Sequence, residues 1–259
     1  MNSIQFVGGE KGGVGKSVFS RLLAQYFIDK NRPFTAIDAD KSHSSLMRFY
    51  SDFTQAITMD NAEKTDAIVD LAMENNNTVL VDLPAQSKSE LNAWLEKNEI
   101  LQIADEYNLN IIFWHVIDDS MDSLNLLRQT IDNASDLANY VIVKNYGRGD
   151  DFSEFENSQV ARDAINKGAS IISIKELQPS TMRKVDRLNF SYWAAANNSD
   201  SQIGECLGFL ERRRVASWLR DSNTQLKLAF DAIENQQAKK NDPTNADSVV
   251  QAFPVSAQQ

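Results

Sequence analysis

Ten residues near the N-terminus carry the sharpest chemical signal in the chain: Gly8-Gly9-Glu10-Lys11-Gly12-Gly13-Val14-Gly15-Lys16-Ser17. Glycines let a backbone turn tightly around an anion, consecutive N–H groups point inward, and the positive end of a following helix adds to the field. In such a loop Lys16 reaches the β- and γ-phosphates of a nucleotide, and Ser17 offers its hydroxyl to Mg²⁺. Gly12, Gly13, Val14, Gly15, Lys16, Ser17 and Val18 are therefore the candidate nucleotide-binding residues. Carboxylates suited to the same chemistry stand at two further places. Asp38 and Asp40 form an Asp-x-Asp pair behind Phe34-Thr35-Ala36-Ile37, and Asp82 closes Thr78-Val79-Leu80-Val81. Acids at strand ends beside a phosphate loop are placed to contact Mg²⁺ or the water that attacks the γ-phosphate. Asp38, Asp40 and Asp82 join Ser17 as candidate metal-site residues. Each feature has a plainer reading alone, a glycine turn with solvated lysines or an aspartate that caps a helix. Together they favour a site.

These groups meet only if strands and helices alternate so that the strands end along one edge. The apolar run Ile4-Gln5-Phe6-Val7 leads into the loop, and residues 18–30 follow with Leu22, Leu23, Tyr26 and Phe27 at helical spacing. Residues 44–76 read as helical with an extended piece near 55–59. Residues 87–106 read as one amphipathic helix with Leu91, Trp94, Leu95 and Leu101 on its apolar side. The nearly continuous apolar run 110–117 suits a strand buried on both faces, with His115 a hydrogen-bonded core residue. Asp118-Asp119-Ser120 closes that strand and caps a helix from about Met121. Residues 140–145, a helical 152–167 and a short strand 170–174 complete the alternation. The expected fold is α/β, a mostly parallel, doubly wound sheet with helices on both faces and a helical C-terminal extension. The site lies at the carboxyl edge of the strands.

From Ile203 apolar residues recur at Cys206/Leu207, Leu210, Val215, Trp218/Leu219, Leu226, Ala229/Phe230 and Ile233, a helical period kept for some thirty residues, with Asp221-Ser222-Asn223 the one place that leaves room for a break. Arg213, Arg220 and Lys227 are seven apart and share one side, with Arg212 and Arg214 beside them. They form either a solvated face or a non-specific contact to a DNA backbone, and Arg183, Lys184 and Arg187 are the other basic cluster. Residues 235–259 are rich in Gln, Asn and Ala and have little to bury, so disorder or ordering by a partner is expected. The expected organisation is a core over 1–200, a packed helical segment over 201–235 and a polar tail over 236–259.

The string Lys11-Gly12-Gly13-Val14-Gly15-Lys16-Ser17 resembles the deviant Walker A box of the ParA/MinD superfamily of P-loop ATPases. Glu10 stands where the standard pattern has its first glycine, and Lys11 follows it. The resemblance implies ATP and Mg²⁺ as ligands and an ATP-dependent homodimer in which Lys11 reaches the partner's nucleotide. It implies slow hydrolysis stimulated by an adaptor protein, with Asp40 orienting the attacking water and Asp38 supporting the metal. Lys11, Lys16 and Asp40 are then the catalytic candidates. Asp82-Leu83-Pro84 resembles the family's Asp-x-Pro segment, and Asn145, ending its strand, would read the adenine edge. Lys41-Ser42 depart from the family's Pro-Gln, and His43 reads as an exposed loop residue. Ser17-Val18, where most partition ATPases carry two threonines, is closer to ParA-type ATPases of plasmid conjugation and stability regions such as the TraL group.

Bulk properties set the outer limits. A chain of 259 residues accommodates one full α/β domain, and 42% apolar content is ordinary for a globular protein. No apolar run approaches the roughly 20 residues that cross a bilayer, and nothing at the N-terminus resembles a signal peptide, so a cytoplasmic location is expected. The lone Cys206 forms no internal disulfide and reads as a core residue on the C-terminal helical stripe. It also excludes a subunit-bridging four-iron cluster, which takes two cysteines from each subunit. A formal charge of −10 argues against bulk attraction to nucleic acid. The tail lacks a basic amphipathic helix, so no membrane binding is expected. Two other functions fit the same core: a nucleotide-gated interaction factor that binds no DNA, and an ATP-dependent synthetase. The synthetase needs a second pocket that no motif announces. A metal-insertion ATPase would want Cys and His ligands, which are scarce here.

Overall fold

A computed structural model describes residues 2–40, 44–59, 62–74, 77–199 and 204–240. Lys41, Ser42, His43, Ile203 and the tail from 241 onward lie outside the described residues.

Seven strands form one sheet in the order β3-β2-β4-β1-β5-β6-β7, and every pairing is parallel. They are β1 (Ser3–Gly8), β2 (Phe34–Asp38), β3 (Thr54–Ala56), β4 (Thr78–Asp82), β5 (Asn110–Ile117), β6 (Asn139–Asn145) and β7 (Ser170–Ile174). The chain winds in both directions from β1, so the loop after β1 sits at the point where the strand order reverses, the place where α/β sheets hold ligands.

Alternate residues of the central strands enter opposite cores. Leu80, Ile112, Trp114 and Val141 pack toward α1 (Lys16–Asp29), α10 (Tyr192–Asn197) and α11 (Phe209–Lys240). Ile4, Phe6, Val79, Val81 and Ile111 pack on the other face, against α3 (Ala62–Met73), α4 (Lys88–Lys97) and α5 (Ile100–Glu106). That face continues under α6 (Met121–Asp132) and α8 (Gln159–Asn166) through Ile142, Leu127 and Val160. Helix α1 is buried along nearly its whole length, with Phe19, Leu22, Leu23, Tyr26 and Phe27 each at most 2% exposed. Each such side chain contributes about 1.5–3 kcal/mol relative to exposure, which makes the helix behind the glycine loop a rigid support. Among the described residues the short α-helices α2 (Ser45–Phe49), α7 (Ser153–Glu156) and α9 (Pro179–Arg187) are the others.

Four local expectations are corrected. The helix expected over 87–106 is two, because Glu99 adopts a left-handed backbone and the chain turns between α4 and α5. Helix 152–167 is likewise divided into α7 and α8. Conversely, α11 has no break at Asp221-Ser222-Asn223: Ser222 is buried within it, and the helix runs on to Lys240, five residues beyond the expected start of the tail. Helix α11 begins only at Phe209, so Cys206 lies in the segment before it and is half-buried, while Leu210 is exposed.

Candidate nucleotide site

The loop connects the end of β1 to the first turn of α1, and its shape depends on glycine at three points. Gly9, Gly13 and Gly15 have φ of 144°, 83° and 99°, where L side chains are strained. A Cβ on Gly9 would lie 2.6 Å from the Val116 carbonyl oxygen, and one on Gly15 would lie 2.1 Å from Asn145 Nδ2. At Gly12 and Gly13 nothing stands within 4 Å of an added Cβ. The crest of the loop is therefore open where a phosphate would lie, while its two feet are wedged against β5 and β6.

Lys16 is the first residue of α1 and is 8% exposed. Its Nζ donates to the carbonyl oxygens of Gly9 at 2.9 Å and Lys11 at 3.3 Å, so its ammonium is folded beneath the crest. Burial lowers its pKa, opposed by the charges of Asp82, Glu10 and Asp40. Lys11 behaves differently. Its Nζ donates to Asp118 Oδ2 and to Ser120 Oγ, both at 2.7 Å, at the end of β5. Burial pushes the Asp118 carboxyl up, but hydrogen bonds from Lys11 and Ser120 outweigh it and hold it below its ordinary value.

The acids gather because β2 and β4 are in register: Asp38 is opposite Asp82, and Val7 of β1 is opposite Asp82 on the other side. Asp82 is 1% exposed. Burial pushes its carboxyl up to about 7; the Ser20 hydrogen bond opposes this, Asp38 adds to it, and Ser17 and Lys16 oppose it. Ser20 Oγ donates to Asp82 Oδ1 at 2.8 Å. Asp38 accepts from the Met47 backbone N–H at 3.1 Å. Burial raises its pKa too, against N–H donors from Met47, Asp40 and Leu46. One oxygen of each acid, Asp38 Oδ1 and Asp82 Oδ2, is buried with no hydrogen-bond partner.

Those two oxygens, next to the Ser17 hydroxyl, fit Mg²⁺. The ion keeps several waters and takes one or two carboxylates together with phosphate oxygens, so the protein need not supply a full cage. Among the described residues, no group of three or more His, Cys, Asp or Glu side chains could hold a metal alone. Asp40 lies at the same strand end, close enough to Lys16 to affect its charge.

Asn145 stands at the end of β6 against the loop. Its Nδ2 donates to the Val14 carbonyl at 2.7 Å, and its Oδ1 accepts from the Gly147 N–H at 3.0 Å. The amide expected to read a base is thus engaged in bracing the loop. Beside it opens a cavity of about 310 Å³, lined by Val18, Gly147, Pro179, Arg183 and Trp218 among others. On the long helix the expected basic stripe is only partly free. Arg213, Arg214 and Arg220 are exposed, whereas Lys227 pairs with Asp231 and Arg212 donates to the Leu207 carbonyl.

Three groups escaped the sequence reading. Ser20 sits one turn after Ser17 on α1, and that i, i+3 spacing was the available signal for a second hydroxyl on Asp82. Asp118, read only as a cap, is the partner of Lys11. Glu10 accepts a hydrogen bond from the backbone N–H of Lys88, the first residue of α4, whose preceding Ser87 makes no side-chain cap. Pairing across that distance has no local sequence signature.

The sheet order, the loop at the reversal point and the acids in register define a P-loop ATPase-type fold of the MinD/ParA kind. Solved structures of similar fold are the septum site-determining protein MinD complexed with Mg-ADP from Pyrococcus horikoshii, with a TM-score of 0.53 at 12% identity over 89% of this chain and 98% of that one, and the MinD cell division protein of Aquifex aeolicus, with a TM-score of 0.50 at 14% identity over 85% and 95%. In sequence the chain is similar to Protein MobD of Acidithiobacillus ferrooxidans, 25% identical over 68% of this chain and 78% of that protein. It is also similar to Protein TraL of Escherichia coli, 25% identical over 45% of this chain, a match that spans about half of TraL, 51%. No family model matches the sequence. Among the described residues, no helix is long and apolar enough to cross a membrane.

Proposed function

We propose that the chain is a slow ATPase whose ATP-dependent dimerisation and hydrolysis act as a switch in plasmid partition, plasmid transfer or the positioning of an intracellular cargo. The observation that carries this reading is the pair of buried, partnerless oxygens on Asp38 and Asp82 beside Lys16 and Ser17. A buried acceptor without a donor is costly, and here a metal-bound triphosphate would relieve it. The Ser17-Val18 pair, closer to ParA-type ATPases of plasmid conjugation and stability regions, supports the transfer variant.

In this reading Lys16 turns from the Gly9 and Lys11 carbonyls to the β- and γ-phosphates, and Ser17 and Asp82 orient toward the metal. Mg²⁺, when bound, draws charge from the phosphate oxygens. Asp40 positions the attacking water. Lys11 leaves Asp118 and Ser120 for the nucleotide of a second copy, and a partner protein completes the water-positioning groups, so that turnover acts as a timer. The closed dimer contacts DNA non-specifically through Arg213, Arg214 and Arg220.

The test is Asp40→Ala on a calibrated sizing column with ATP, with the trapped species then tried in a DNA mobility shift at two salt concentrations. The expected result is a persistent ATP-loaded dimer that retards DNA less as salt rises. An ATP-loaded monomer would remove Asp40 from its role. A trapped dimer that never retards DNA would favour the interaction factor without a DNA function.

A further inference from the structure

On the face of the sheet opposite α1, the strand leading into the loop borders a second cavity. Its volume is about 340 Å³, and it lies between α4 and α6 with Phe6, Phe113 and Tyr140 in its lining. Water occupies roughly 30 Å³ per molecule in the liquid, so this space is far larger than the voids that close-packed interiors leave. The rings are cross-strand neighbours on β1, β5 and β6: Phe6 and Phe113 stack at 5.4 Å with an interplanar angle of 18°, and Phe113 and Tyr140 at 5.3 Å and 21°. They make an apolar, aromatic floor. Polar groups stand around it: Glu10, Lys88, Asn92, His115, Thr130 and Asn133.

We propose that this cavity binds a small, uncharged aromatic or heteroaromatic compound of one or two fused rings with a hydrogen-bonding group, and that its occupancy is felt by the nucleotide loop.

The charge of the lining argues for a neutral ligand. Glu10 and Lys88 each temper the other's burial cost, and Glu96, the third charged residue of the lining, is exposed, so the cavity's interior keeps little net field for an ion. Lys88 Nζ is further engaged with Thr130 Oγ1 at 3.3 Å. His115 is buried, and burial with the repulsion of Lys88 and Lys16 pushes its pKa down to about 4, so its ring is neutral. An apolar floor with a few converging polar groups of perturbed pKa is the common form of a small-molecule site. The aromatic floor favours a ring, and the Asn92 and Asn133 amides at the edge favour a ligand with a donor or acceptor.

Coupling follows from a shared wall. Gly8, Gly9 and Glu10 line the cavity, the Gly9 carbonyl holds Lys16 Nζ, and Gly8 is the register partner of His115. Glu10 also carries the first N–H of α4. A ligand that shifts Gly9 or Glu10 therefore alters the anchor of Lys16, and linkage makes the effect reciprocal. This half of the proposal rests on the nucleotide reading above; ligand binding itself does not.

The experiment titrates the full chain with indole by calorimetry, with and without saturating ADP, and repeats it with Asn92→Trp, a half-buried position on α4 where a large side chain fills the cavity from its edge. Expected are saturable indole binding, a loss of about tenfold or more in Asn92→Trp with its thermal melt retained, and an ADP affinity that shifts about fivefold or more with indole. Indole binding that does not saturate, or that Asn92→Trp leaves unchanged, overturns the site. An ADP affinity that ignores indole overturns the coupling. Failure of the chain to bind ADP at all refutes the ATPase reading instead, while the indole titration stands by itself. A chain ending at Lys240 that binds indole tenfold more tightly than the full chain would give the cavity to the protein's own C-terminal tail and overturn the small-molecule assignment.

Discussion

Lys11 and Lys16 are the same residue type five positions apart in one loop, yet their surroundings are opposites. Lys16 is 8% exposed and held by main-chain carbonyls of the loop itself. The Lys11 side chain is 30% exposed and is held by the side chains of Asp118 and Ser120 from a distant strand end. A buried ammonium on backbone acceptors is part of the loop's architecture, and moving it needs an incoming anion to replace those oxygens. The Lys11–Asp118 pair is partly buried, with side chains 30% and 12% exposed, but its ammonium keeps contact with water, so Lys11 can exchange Asp118 for another anion without being stranded in the interior. Under the proposed function the two ends of the loop would divide the work: one lysine would hold a phosphate in its own subunit, and the other would leave Asp118 to serve a second copy.

The largest effect should come from the fixed end. Lys16→Ala removes the cation beneath the crest, and charge-assisted hydrogen bonds contribute about 1.5–3 kcal/mol each. ADP affinity should fall by about 100-fold in calorimetry, while circular dichroism shows a folded chain. If the variant bound ADP within tenfold of the parent, the open crest over Gly12 and Gly13 would not be the phosphate site.

Next in size is the acid that faces Lys16. The pKa of Asp82 is raised on folding from an ordinary 3.8 to about 7. A raised carboxyl contributes stability that is present below the unfolded value and lost as pH rises through the folded one. The apoprotein should therefore lose stability between about pH 4 and pH 7 on account of this group. Asp82→Asn removes the buried charge and should raise the melting temperature at pH 8 by about 5 °C, less at pH 5, a gain of order 1–2 kcal/mol for a chain of this size. The same variant should lose Mg²⁺-dependent nucleotide affinity. A lower melting temperature at pH 8 would mean that Asp82 is satisfied in the apoprotein, and the orphaned oxygens would no longer argue for a metal.

The contrast between the lysines also marks what could be read from sequence. Lys16 was legible because its neighbours in space are its neighbours in the chain: the loop, Ser17 and the start of α1 are local, and the strand ends carrying Asp38 and Asp82 announce themselves by β-branched and apolar runs followed by an acid. The sheet followed from the same alternation. What escaped depended on long-range pairing. Asp118 meets Lys11 across 107 positions, and Glu10 meets Lys88 only because α4 begins beside the loop. His115 read as a hydrogen-bonded core residue, and its place beside a cavity depends on how far α4 and α6 stand apart, which no local pattern encodes. The divided helix at Glu99 failed for a related reason: apolar spacing continues through the turn, and only a left-handed backbone at one residue interrupts it.

The smallest effect on stability, and the most telling for the comparison, lies at the releasable end. Asp118→Asn keeps the size of the side chain and removes the charge that holds Lys11 at home. Because the Lys11 ammonium keeps contact with water and can be solvated once the charge is gone, the melting temperature should move by no more than about 2 °C. If Lys11 is needed on the nucleotide of a second copy, the interaction with Asp118 competes with assembly, and its loss should tighten the ATP-dependent dimer by up to about fivefold, the equivalent of 1 kcal/mol. Analytical ultracentrifugation with ATP and with ADP would measure this, and Lys11→Ala would abolish the ATP-dependent gain while keeping ADP affinity in the monomer. A melting temperature that drops by 5 °C or more with no change in dimerisation would make Asp118–Lys11 a structural strut like the contacts of Lys16, and the division of labour between the two lysines would disappear.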